Sequence, residues 1–152
     1  LTWIKPSFLW MMYRCGWATK SGQETVLTVD IGREGFEWAL RYACLPGYVP
    51  GAHADRADWQ RRLKRSPTRI QWDPERGLRL RALPCRSLQL GPSGEAVRPN
   101  ADEGTVAVRD VTSLAHEVHG HVRDGGLDTV RRLLPEERPY PAKTDRLSGS
   151  RP

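Results

Sequence analysis

TWIKPSFLWMMYRCGWATK, residues 2–20, holds three of the chain's six Trp, both Met and one of the two Phe. Lys5, Arg14 and Lys20 are interleaved with them. A chain end that frays carries little costly apolar surface. This stretch reads instead as the interior of a domain, built as core or as a binding face. Pro6 suits the first position of a helix. Phe8, Leu9, Met11 and Met12 then give a short, nearly all-round apolar helix, and Gly16 stops it. Such a helix is buried on most sides or lines a pocket. Trp3, Trp10 and Trp17 recur at a spacing of seven, but Pro6 and Gly16 break the helix and exclude a coiled-coil seam.

Outward from this stretch, strand and helix patterns are mixed. ETVLTVDI (24–31) alternates as a strand with at least one buried face. Residues 33–44 put Phe36, Ala39, Leu40, Ala43 and Cys44 on one helical stripe. Two Pro and two Gly make 45–54 a loop. A second helix is expected over 55–64, ended by Pro67. Strands follow at 68–73, 78–83 and 86–90, with turns at 74–77 and 91–94 and a helix start at 95–97. A strand at 105–111 precedes helices at 113–122, capped by Thr112, and 127–134. The expectation is an α+β fold, a small mixed sheet with several short helices, in a single domain over residues 1–134. Residues 135–152, rich in Pro, Arg and Ser, are expected to form a disordered tail.

A chain of 152 residues fits one domain with one core. Hydrophobic content of 38% and mean hydropathy of −0.61 are low for a compact enzyme. The net charge of +6 and pI near 9.6 favour an anionic partner, nucleic acid or nucleotide. Of the 24 basic residues only four are Lys (5, 20, 64 and 143). An Arg-rich, Ala-, Gly- and Pro-rich composition is also what a GC-rich genome writes, so an anion-binding surface and codon bias stand as alternatives. The three Cys form no C-x-x-C pair, which excludes a zinc pair or disulfide framework and fits a reduced cytoplasmic compartment. The longest apolar run, residues 8–13, is far shorter than the ~20 residues that span a bilayer, so no membrane partner is expected. Neither a P-loop nor a dinucleotide fingerprint is present, and no cofactor is assigned. The chain begins at Leu1 without Met, which suggests a trimmed N-terminus.

Two groups of residues carry candidate chemistry. Cations beside aromatic rings suit a nucleotide or a single strand, because charge holds phosphate and rings stack bases. That nominates Lys5, Arg14, Trp17 and Lys20. Lys retained in an Arg-biased chain marks sites where a compact ammonium is wanted. The competing reading is a Trp-rich core with snorkelling cations. The second group lies at strand ends. Asp73 and Glu75 could serve as general acid and base or hold a ribose hydroxyl, and Arg86 with Gln89 could clamp an anion or amide. The competing readings are an Asx turn and a polar strand face. His116 and His119 stand i, i+3 on a helix without a third ligand in reach, so no metal is assigned. Cys15 reads as a small buried residue.

Four motifs in order, TWIKPSFLWMMYR, TVLTVDIGREGFEWAL (25–40), QWDPER (71–76) and RSLQLGPSGEAV (86–97), resemble a bacterial and fungal family. It is the one catalogued as domain of unknown function (DUF) family 4291, and the resemblance covers about residues 1–140. The resemblance implies several dozen residues ahead of the first motif, including a strand-like VYQAY segment. On that basis this chain would be an incomplete domain with an unpaired strand edge or exposed patch. It also implies a bulky Trp near position 104 and a helix continuing through 99, where this chain has Gly104 and Pro99. It implies no particular activity.

The leading expectation is an intracellular domain that binds a phosphate-bearing ligand, nucleic acid or nucleotide. Its face would comprise Lys5, Arg14, Trp17, Lys20, Arg86 and Gln89. One alternative is a nucleotide-dependent transferase, ADP-ribosyl- or nucleotidyl-transferase-like, with Lys5, Asp73, Glu75, Arg86 and Gln89 in one pocket. The other is an inactive truncated copy. Oligomeric state stays open.

Overall fold

The computed structural model describes residues 3–92 and 105–141. Helix α1 (Phe8–Cys15) begins two residues later than Pro6 implies. Ser7 is its N-cap, accepting the Trp10 N–H at 3.4 Å. Gly16 ends it at φ +58°, and Trp17 and Ala18 follow at +57° and +61°. Three left-handed residues in a row turn the chain back on the helix, and Trp17 N–H donates to Met12 O at 3.0 Å. Two non-glycine residues are strained there, and the strain is offset by packing. Met12, Cys15, Trp17 and Ala18 supply it, together with Val26 and with Ala115, Val118 and Val130 from the last two helices.

Those helices are α4 (Thr112–Arg123) and α5 (Leu127–Leu133). Between α1 and α4 lie β1 (Leu27–Ile31), α2 (Arg33–Arg41), β2 (Ala43–Cys44), α3 (Arg56–Arg65), β3 (Thr68–Arg76), β4 (Ala82–Pro92) and β5 (Thr105–Asp110). The fold is α+β, with two small sheets. In one, β2 pairs parallel and β4 antiparallel to β3. In the other, β1 and β5 pair antiparallel. A second core lies under the three-stranded sheet, where Ala39 and Leu40 of α2 pack on Ile70, Leu88 and Leu90.

Several expectations are corrected. The helical stripe over 33–44 ends at Arg41, and Ala43–Cys44 is a strand aligned on Thr68–Arg69. The turn expected at 74–77 is strand through Arg76: Pro74 pairs with Arg86, and an irregularity between Pro74 and Arg76 absorbs the proline. The reversal falls at 77–81 instead, where Leu80 N–H donates to Gly77 O at 2.8 Å. Leu78 and Leu80 look like alternating strand residues because both pack on the first core from that turn. Strands expected at 78–83 and 86–90 are therefore one turn and one long strand. The predicted buried face of 24–31 is open: Leu27 and Val29 are 54% and 37% exposed, and Val108, opposite Val29, is 54% exposed. Only Val26, just before the strand, is buried.

Residues 135–141, placed by composition in the tail, make specific contacts. The Tyr140 hydroxyl donates to Glu37 Oε1 at 2.8 Å, and its ring meets Phe36 edge-on with centroids 4.9 Å apart. The end of the turn at 91–94, the helix start at 95–97, the departures at Pro99 and Gly104, and the remainder of the tail lie outside the described residues. Among the described residues no helix is long and apolar enough to cross a membrane.

Candidate functional site

The β3–β4 register decides which side chains meet. Paired residues share a face and successive ones alternate. Gln71 opposite Gln89 and Asp73 opposite Ser87 form a polar face; Trp72 opposite Leu88 and Pro74 opposite Arg86 form the other. The N-terminal segment then joins the free edge of β4, with Ile4 and Leu90 exchanging hydrogen bonds of 2.7 and 2.9 Å. That bridge delivers Lys5 and Ser7 to the polar face. Lys5 Nζ donates to Ser87 O at 2.8 Å and stands 5.0 Å from the Trp10 ring centroid.

Glu75 is the hub. The Ser7 hydroxyl donates to its Oε2 at 2.5 Å, and the Ser87 hydroxyl donates to its Oε1. Gln71 Nε2 donates to Asp73 Oδ1 at 3.1 Å. The other Asp73 oxygen, Oδ2, is buried with no donor. From the far end of the chain, Glu137 Oε1 accepts the Phe8 N–H at 2.8 Å, so a carboxylate sits at the positive end of α1. Lys5 feels the charges of Glu75, Asp73 and Glu137, and Glu137 those of Glu75 and Lys5.

The electrostatics follow from this crowding. Burial holds the Lys5 ammonium below its ordinary pKa of 10.5, against the opposing pull of Glu75, Asp73 and Glu137. Glu137 as a residue is exposed, but its carboxyl is drawn against α1. Lost hydration pushes its pKa above the usual 4.5; the Phe8 N–H pulls it down and Glu75 adds to the rise. A carboxyl with a raised folded pKa gives stability that is complete below the unfolded pKa and is lost as pH rises through the folded one. Glu137→Gln removes that dependence. The difference in melting temperature, variant minus wild type, is expected to grow from pH 4 to pH 7; a pH-independent difference refutes the assignment.

Of the eight sequence candidates, the structure brings together Lys5, Asp73, Glu75 and Gln89. It separates the others. Arg86 is exposed on the opposite sheet face, its Nη1 donating to Trp72 O at 3.0 Å. Arg14 ends α1 exposed, and Lys20 Nζ donates to its carbonyl at 3.2 Å. Trp17 is buried in the first core and stacks on His119, centroids 5.1 Å apart and planes 1° from parallel. Burial, with Arg123 nearby, holds His119 below its ordinary pKa of 6.5. The face proposed from Lys5, Arg14, Trp17, Lys20, Arg86 and Gln89 is thus not one surface.

Sequence reasoning missed Ser7, Ser87, Gln71 and Glu137. Ser87 and Gln71 were readable as polar members of alternating strands; Ser7 was readable as a helix cap. Glu137 carried no local signal, since its partner lies at the other end of the chain.

A family model described as domain of unknown function (DUF4291) matches residues 1–140. Neither a curated protein nor a solved structure matches the chain. Every helix and strand described above, and the whole Lys5–Glu75–Glu137 cluster, falls inside the matched span: the chain belongs to the DUF4291 family.

Proposed function

We propose that the polar face of β3 and β4 binds a small phosphate-bearing ligand, a nucleotide, and not a nucleic-acid strand. One observation carries the reading: Asp73 Oδ2 is buried beside Lys5 and Glu75 with no donor. An unpaired buried carboxylate oxygen is costly, and a ligand that donates to it relieves that cost. A ribose hydroxyl is such a donor. The nearby Gln71 and Gln89 amides suit further polar groups, and Lys5 supplies positive charge for phosphate. Three carboxylates around one ammonium disfavour an extended polyanion.

Isothermal titration with AMP, ATP and NAD at low salt tests it. Asp73→Asn is expected to weaken binding on the order of tenfold, the worth of one charge-assisted hydrogen bond. Its melting temperature should stay close to that of the wild type, because the amide oxygen still accepts from Gln71 and only the oxygen without a donor is replaced. No binding of any of the three by the wild type at millimolar concentration, or undiminished binding by the variant, sinks the proposal.

The transferase reading loses Arg86, which lies on the other sheet face; what remains in its favour is the Ser7 hydroxyl donating to Glu75 at 2.5 Å. That is the geometry of a hydroxyl held by a general base. Incubation with radiolabelled ATP and NAD distinguishes it: transfer of label is expected if it holds, and unchanged nucleotide after hours eliminates it.

A further inference from the structure

We infer that the outer face of α2 and the adjoining end of α3 form a second binding surface, one for single-stranded nucleic acid. It is independent of the nucleotide reading above. Trp38 and Tyr42 stand four apart at the end of α2, so they project from one side of it. They are 38% and 50% exposed, with ring centroids 5.2 Å apart and planes tilted by 50°. Neither belongs to a core cluster; α2 packs through Phe36, Ala39 and Leu40 instead. Two large rings left together in water are costly unless something covers them.

The charge beside them indicates what does. Helix α3, RADWQRRLKR, has five basic residues against one acid, Asp58, and buries none of its residues. Arg62, Lys64 and Arg65 crowd its last turn. Arg61 and Arg62 share Asp58 at 3.6 and 3.0 Å; among the described residues Lys64 and Arg65 are in no ion pair.

This basic end is fixed beside the aromatic pair. The Ser66 hydroxyl, just past α3, donates to Tyr42 O at 2.6 Å. Trp59 Nε1 donates to Leu45 O at 3.0 Å, a second tie from α3 to the segment after α2. The Arg69 guanidinium holds Leu63 O and Ser66 O at 2.6 and 2.8 Å, which closes the end of α3 against β3. The end of α3 that carries the cations and the end of α2 that carries the rings are therefore tied together through main-chain carbonyls.

A single strand offers both complements at once: bases whose faces stack on Trp and Tyr, and phosphates that Arg and Lys track. A duplex hides its base faces. An acidic peptide satisfies the cations but leaves the rings bare. The surface is sequence-tolerant by this chemistry, since stacking accepts every base.

The test is fluorescence anisotropy with a labelled oligouridylate a dozen nucleotides long, titrated at low salt with the full chain. Trp38→Ala and Tyr42→Ala together are expected to weaken binding by about tenfold or more. Lys64→Glu with Arg65→Glu is expected to weaken it and flatten its salt dependence. Both pairs are exposed, so melting temperatures should stay close to wild type. Two comparisons keep general basicity apart from a built surface. Arg131→Glu with Arg132→Glu, on α5, should leave binding unchanged. Asp73→Asn should also leave it unchanged, so a failed nucleotide site and a failed strand surface are separable. Equal weakening by the α5 pair, equal affinity for duplex, or binding to anionic lipid vesicles without binding to the oligomer overturns the inference.

Discussion

Trp17→Ala is expected to cost about 3–5 kcal/mol, the range for truncating a buried large aromatic. That lowers the melting temperature on the order of 10 °C. The side chain is buried among Met12, Cys15, Val26 and the α4–α5 pair, and its ring lies flat on His119. A cavity at that point opens the seam between α1 and the C-terminal helices. Thermal melting by circular dichroism measures the loss. The backbone supplies a diagnostic. At φ +57° an Ala is strained and a Gly is not. Trp17→Gly should therefore be no less stable than Trp17→Ala, although it removes one more carbon. A Trp17→Ala protein that melts like wild type but loses ligand affinity would return this residue to a binding role.

Glu75→Ala is the second large effect, about 3 kcal/mol. Two serine hydroxyls lose their acceptor, and Lys5 loses the foremost of the charges that support its ammonium. The pH dependence has a definite sign. Burial already puts the folded pKa of Lys5 below 10.5. A depressed folded pKa gives stability that is present above the unfolded value and is lost as pH falls through the folded one. Removing Glu75 depresses it further and widens that window. The deficit of Glu75→Ala relative to wild type is expected to be largest near neutral pH and to shrink as pH rises toward 10. Chemical denaturation at pH 7 and pH 9.5 checks it; a deficit that grows with pH contradicts a Lys5–Glu75 partnership.

Local chemistry was legible where its partners are local. Helix α1 followed from its apolar run and from Gly16, whose left-handed conformation suits a residue without Cβ. Helix α3 likewise followed from its own stretch, although Asp55, expected as its first residue, is its cap, the carboxylate accepting the Asp58 N–H at 2.6 Å. Pro74 misled because a proline beside acids reads as a turn; only the register with Arg86 shows it inside a strand. Leu78 and Leu80 misled because burial from a tight turn and burial from a strand leave the same alternation in sequence. In the site, Lys5, Asp73, Glu75 and Gln89 were picked by side-chain type, and the strand pairing then united them. Trp17 was picked by the same rule and went to the core, since nothing in GWAT announces three left-handed residues in a row. Glu137 was invisible because its meeting with Phe8 depends on the whole chain having folded.

The open β1–β5 ribbon has a consequence for handling the protein. Among the described residues this ribbon has two strands, which leaves backbone groups without a strand partner along its outer rims. Here the rims border Leu27, Val29 and Val108, which face water. The Arg109–Asp30 pair, at 2.9 Å across the strands, lies on the opposite face of the ribbon; on the apolar face the charge is Asp110, paired with Leu27. Salt screens the repulsion between such exposed charges on two copies and leaves apolar attraction intact. Concentrated stocks in high salt therefore favour strand-to-strand aggregation through this ribbon, and dilute, low-salt storage opposes it.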